Sequence, residues 1–319
     1  MIRFRQSCIL VVALSGCATA PPTYGPWSDP QPVAAINTPA AVEGCPIESP
    51  DGLALYIASN RAAPGAQGKL DVYRSRRASV TSTWGTPENL GTPVNSAEFD
   101  YCPTPLADGQ LMLVSSRVAA DDCLPGDTAP APVPGGPAPG DLYRTRQDPA
   151  GAWLPLVNLG CFPAGPNTAG AEFSPSLVRT AEGTFLYFSS NGYPDSQGQD
   201  IYMSRMRDDG SFLAGTRVAE LSTAADDRMP NVRQDGLEIV FSSNRAGATP
   251  FDQDIYVATR ASTSAPWSAP VRIANTAINS PASETRASLS GDGQRLYFGR
   301  KLNLDDPGDI FVSTRARDK

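Results

Sequence analysis

Histidine is absent from the 319-residue chain. Its absence excludes Ser-His-Asp and Cys-His activation of a nucleophile, imidazole metal ligands and the usual general base near neutral pH. Any chemistry would fall to carboxylates. Cations are also in deficit: 26 Lys and Arg stand against 33 Asp and Glu, a formal net charge of -7. That balance argues against a phosphate-tracking surface, and so against nucleic acid as a partner. No Gly-x-Ser-x-Gly elbow, phosphate loop or Cys-x-x-Cys pair occurs. The apolar run Ile9-Leu10-Val11-Val12-Ala13-Leu14 is far too short to cross a bilayer as a mature helix.

What that run does suggest is an address. Arg3 and Arg5 precede it, and Leu14-Ser15-Gly16-Cys17 follows, a tetrapeptide that resembles the bacterial lipobox. The resemblance implies that residues 1–16 are a signal peptide and that Cys17 is lipidated. Ala18 after the cysteine implies an outer-membrane lipoprotein of the cell envelope, facing the periplasm or the exterior and held to the membrane by its lipid alone. An ordinary secretory signal cut near Ala18 or Ala20 is the alternative. Residues 17–26 read as an extended tether, and 27–319 as one domain.

The domain is repetitive. Five times an acid lies three residues before a proline or its equivalent: Glu43, Asp100, Glu172, Asp227 and Glu284, with Ala287 in the proline's place in the last copy. Each acid is followed by a turn (Asp51-Gly52, Asp108-Gly109, Glu182-Gly183, Asp235-Gly236, Asp292-Gly293) and by an apolar run such as Ile239-Val240-Phe241. A segment opening Asp-Ile-Tyr or similar comes next, as at Asp71, Asp141, Asp200, Asp254 and Asp309, and then a Trp or Phe at 84, 153, 212 and 267. Asp-Gly between apolar runs is a hairpin signal, and an unbroken apolar run suits a strand covered on both faces. The 31 prolines and 28 glycines fit a turn-rich fold. The expectation is an all-β propeller of five four-stranded blades. A sixth blade hidden in the long second or third copy is the alternative. The chain starts with a spare fourth strand: Trp27-Ser28-Asp29-Pro30 and Val33 to Asn37 match Trp267-Ser268-Ala269-Pro270 and Val271 to Asn275. That strand is expected to complete the last blade and close the ring. Residues 118–140, rich in Pro and Gly, are expected to be an exposed loop.

Ser290-Gly291-Asp292-Gly293-Gln294-Arg295-Leu296-Tyr297-Phe298, with Phe241 to Arg245 and Asp254 to Val257, resembles the TolB-type WD-like propeller repeat. The resemblance covers nearly all of the domain. It implies a platform that binds other molecules, although the chain lacks the α/β domain of TolB itself.

Three groups of residues are candidate sites. The acids Glu43, Asp100, Glu172, Asp227 and Glu284 are expected near the channel mouth, where a ring of carboxylates either holds a structural Ca2+ or a basic partner, or bonds the backbone of the adjoining blade. Arg61, Arg117, Arg245 and Arg300 are expected to bridge the aspartates that open the third strands, Asp71, Asp141, Asp254 and Asp309. The cysteines left after processing, Cys45, Cys102, Cys123 and Cys161, are expected to pair as Cys45–Cys102 and Cys123–Cys161, zinc binding being the alternative. Because the acids follow the repeat, the expectation is a non-catalytic scaffold without a cofactor, binding a protein or polysaccharide of the envelope. The alternative is a carboxylate-dependent glycosidase or lyase acting on envelope glycans.

Overall fold

A computed structural model describes residues 22–117, 123, 139–247 and 251–318. The expected signal peptide and lipidation site, Cys17, lie outside the described residues, as does most of the 118–140 loop.

The first strand, β1 (Gln31–Pro32), belongs to the last blade. Blade one is β2 (Glu43–Glu48), β3 (Ala54–Ser59), β4 (Asp71–Arg76) and β5 (Glu88–Asn89). Blade two is β6 (Asp100–Pro105), β7 (Gln110–Ser115), β8 (Asp141–Arg146) and β9 (Val157–Asn158). Blade three is β10 (Glu172–Thr180), β11 (Gly183–Ser190), β12 (Asp200–Arg205) and β13 (Thr216–Arg217). Blade four is β14 (Asp227–Val232), β15 (Glu238–Ser243), β16 (Asp254–Thr259) and β17 (Val271–Arg272). Blade five is β18 (Ser283–Leu289), β19 (Arg295–Lys301), β20 (Asp309–Thr314) and β1. All pairings within a blade are antiparallel, and the five innermost strands β2, β6, β10, β14 and β18 meet in a closed ring.

Local chemistry sets the blades. At four of the five first hairpins an aspartate Oδ1 accepts the N–H two residues on (Leu53, Gln110, Leu237, Gln294), and the glycine between them takes a positive φ. Blade three has Glu182 instead and a tighter turn, with Thr180 opposite Gly183. The second strands of blades one, two and four are buried along nearly their whole length, as expected for strands covered on both faces. The core clusters lie between blades: Val240 and Ile255 of blade four pack with Ile278, Leu296 and Phe298 toward blade five, and the first cluster runs through blades one, two and three.

Closure follows the expected route with a different alignment. Gln31 pairs Val312 and Pro32 pairs Phe311, so Gln31-Pro32 occupy the place of Val271-Arg272, directly in step with the matching tryptophans Trp27 and Trp267. The apparent match of Val33 with Val271 is offset by two residues. Contacts with the last blade begin earlier still, inside the segment read as tether, where Tyr24 bridges Arg317.

An element unseen in the sequence pins each fourth strand. Asn37 accepts the N–H of Ile310 and donates to its carbonyl. Asn95 does the same to Val72, Asn167 to Leu142 and Asn279 to Ile255, while Ser222 serves Ile201.

Candidate functional site

The five repeated acids open the five innermost strands, or stand second in the fifth, and all are buried. Each is held by a Ser or Thr four or five residues upstream that donates both its backbone N–H and its hydroxyl. Thr38 serves Glu43, Ser96 serves Asp100, Thr168 serves Glu172, Thr223 serves Asp227 and Ser280 serves Glu284. Serines 59, 115 and 190 on the second strands add a further hydroxyl. The carboxyls therefore latch the chain as it enters each blade. Among the described residues, no group of three or more acids or cysteines is placed to hold a metal ion.

The arginines pair with these latch acids rather than with the aspartates of the third strands, which corrects the sequence expectation. Arg61 meets Glu43 at 2.9 Å, Arg117 meets Asp100 at 2.6 Å, Arg245 meets Asp227 at 2.5 Å and Arg300 meets Glu284 at 2.8 Å. The reason is local. In the first two and the fourth blades the arginine's own N–H bonds the serine two residues back, which faces the innermost strand in register. Arg300 reaches Glu284 from a position directly opposite it. The third-strand aspartates turn outward to the fourth strand, Asp71 to Asn89, Asp141 to Asn158, Asp200 to Arg217 and Asp254 to Arg272.

Loss of the arginine in blade three has an electrostatic consequence. Gly192 stands where the arginine would be, and among the described residues Glu172 keeps only Ser190 and Thr168 as donors. Burial without a counter-charge pushes its pKa up to about 8. Burial also raises Glu284, to about 7 despite Arg300, and raises Glu43 above the ordinary carboxylate value.

The channel itself is built from the two residues between acid and proline, the part of the repeat that varies: Gly44-Cys45, Tyr101-Cys102, Phe173-Ser174, Arg228-Met229 and Thr285-Arg286. Every innermost strand breaks register there, with a bulge between the flanking pairs. The second residue of each dipeptide takes a left-handed φ of +48° to +59°. For a residue with a Cβ this costs about 1–2 kcal/mol. Bulges and strained residues of this kind re-aim side chains, and they concentrate at functional sites. Nine of these ten residues line a cavity of about 620 Å³ at the acid end of the channel. Tyr101, Phe99, Phe173 and Phe251 give it aromatic walls, and Glu43 is the one carboxyl among its described lining residues. A smaller cavity of about 200 Å³ lies at the far end, past Thr104.

Both expected cysteine pairs are joined. Cys45–Cys102 links neighbouring bulges in the cavity wall, and Cys123–Cys161 ties the second blade's loop to the connection after β9. The sequence reading passed over the variable dipeptide because it looked for what recurs; the available signal was its variation inside a fixed frame.

No family model matches the sequence, and no curated protein matches it. The fold does match solved structures. An endo-arabinase from Bacteroides thetaiotaomicron superposes with a TM-score of 0.53 at 17% identity, over 89% of this chain and 97% of that one. An α-L-arabinofuranosidase from Podospora anserina, in complex with cellotriose, gives 0.55 at 12% identity over 92% and 98%. An α-L-arabinofuranosidase from Lactobacillus brevis gives 0.55 at 12% over 89% and 94%. At these identities the likeness shows the fold, a five-bladed β-propeller. It also corrects two expectations. The structural neighbours are glycosidases rather than TolB-type proteins. The expectation of a non-catalytic scaffold rested on the acids following the repeat, and the glycosidases among the structural neighbours share this fold, so the fold does not favour a scaffold over an enzyme.

Proposed function

We propose that the protein is a carboxylate-dependent glycosidase of the cell envelope, acting on a polysaccharide laid into the channel cavity. The observation that carries this reading is Glu43, the one acidic residue among the described residues lining the cavity, with a pKa raised by burial. Glu284 stands on the adjacent blade with a pKa of about 7; its neighbours Ser283 and Thr285 and its partner Arg300 line the same cavity. Cleavage of a glycosidic bond takes two carboxyls, one protonated and one ionised, and displaced pKa values are how a site separates those roles. Aromatic and apolar walls interspersed with polar and charged side chains suit a bound sugar chain. The fold likeness to an endo-arabinase and to arabinofuranosidases supports the reaction class, and the resemblance of Leu14-Ser15-Gly16-Cys17 to a lipobox supports the location.

The test is hydrolysis of a polysaccharide panel spanning arabinans, fructans and uronic-acid polymers, read by release of reducing ends. Glu43→Gln should lower the rate by about 100- to 10,000-fold. Asp227→Asn removes the equivalent latch acid of blade four, which does not line the cavity, and a folded sample should stay active. Wild-type protein inert on the whole panel, or Glu43→Gln as active as wild type, rejects the reading.

A further inference from the structure

This acidic chain gathers cations in one place. The described residues lining the cavity include Lys69, Arg228, Arg286, Arg300 and Lys301 against the single carboxyl Glu43. Several have acidic neighbours of their own: Lys69 has Glu98, Arg228 has Asp226 at 3.8 Å and Arg300 has Glu284.

Arg286 differs. It is the left-handed bulge residue of blade five and is 1% exposed. Its Nη1 donates to the Pro230 carbonyl at 3.3 Å and its Nη2 to Thr104 Oγ1 at 3.2 Å, both long contacts to neutral acceptors. Its Nε has no partner among the described residues. Among the described residues, no carboxylate lies within ion-pair distance of the guanidinium. Burial lowers its pKa to about 9 with no acid opposing the shift, so it still carries its charge at neutral pH. A buried guanidinium without a counter-charge is costly to keep. The equivalent positions in the other blades are Cys45, Cys102, Ser174 and Met229, so the fold does not require a charge there. An anion seated on the cavity floor would supply the missing charge and accept the idle Nε–H.

We propose that the cavity takes an acidic saccharide, a glycan carrying uronic-acid carboxylates, with one carboxylate bound by Arg286. This names a substrate class for the site proposed above and rests on that reading of the cavity.

The test is calorimetric binding of a short oligogalacturonate to the intact protein, beside a neutral galacto-oligosaccharide of equal length. The acidic oligomer should bind at least about tenfold more tightly and weaken as salt rises. Arg286→Gln should cost about 10- to 100-fold in affinity for the acidic oligomer and leave the neutral one unchanged, with Arg286→Lys retaining part of the binding. Equal binding of the two oligomers to wild type overturns the proposal without any variant. So does wild-type affinity for the acidic oligomer in a folded Arg286→Gln protein. Tight, salt-sensitive binding without cleavage of any glycan would sink the glycosidase reading and leave this one standing; cleavage of neutral glycans without acidic binding would do the reverse.

Discussion

The Nη2 of Arg286 lies 3.2 Å from the Oγ1 of Thr104, and this contact joins the fifth blade to the second across the propeller axis. Thr104 spends its own proton on the Pro175 carbonyl, so it meets the guanidinium as an acceptor. Arg286 lines the larger cavity and Thr104 the smaller one, so this contact lies where the two cavities approach each other.

A charge kept at such a place for a ligand should be a burden on the empty protein. Arg286→Met retains the volume and puts there the residue that blade four already uses. Replacing a buried, poorly compensated charge by an apolar side chain of similar size is neutral or stabilising by about 1–4 kcal/mol. Denaturation of the two ligand-free proteins should show Arg286→Met at least as stable as wild type. A loss beyond about 2 kcal/mol would instead make Arg286 a structural cross-brace.

Glu172 makes stability depend on pH in an unusual direction. Its folded pKa of about 8 lies above the ordinary value of 4.5. Between those two values the folded protein binds a proton that the unfolded chain has released. The contribution is fully present below pH 4.5 and is lost as pH rises through 8. Urea titrations across that range should show stability falling with pH, with Glu284 adding to the fall up to about pH 7. Glu172→Gln should flatten the upper part of the slope, between pH 7 and 8. An unchanged slope there in the variant would count against a protonated Glu172.

Where the arginine is present, its loss should be severe. Asp227 is fully buried and, among the described residues, takes Arg245 as its only ion-pair partner. Arg245→Met should cost about 3 kcal/mol because it strands a buried carboxylate. Asp227→Asn added to it should recover much of that loss, because the stranded charge goes with it. Strict additivity of the two single effects would show that the pair does not act as a unit.

Much of the fold was legible because turn chemistry and apolar runs recur in step: the five turns, the buried second strands and the closing strand near Trp27 were all readable. The Asn37, Asn95, Asn167 and Asn279 clamps were hidden in connections of unequal length, which also produced the two-residue offset at Val33. The direction of the arginines was not readable either. An arginine near two acids in sequence chooses between them by strand register, and Ser59, Ser115 and Ser243 sit opposite the first strand as well as the third. The cavity wall was least legible. Left-handed φ at Cys102, Met229 or Arg286 is not a preference of those side chains; it is imposed by the bulge, and a bulge leaves no mark in composition.

The pairing of Gln31 with Val312 sets an order of events. A strand near one end of the chain finds its partner only after all five copies of the repeat have been made, so the longest loop closure in the fold comes last. Until then the outer edge of β20 has no neighbour and the blade-five core lacks Trp27 and Val33. During synthesis the protein is thus an open ribbon with one bare edge, and the final strand pairing both completes the last blade and removes the edge on which two such ribbons would stick together.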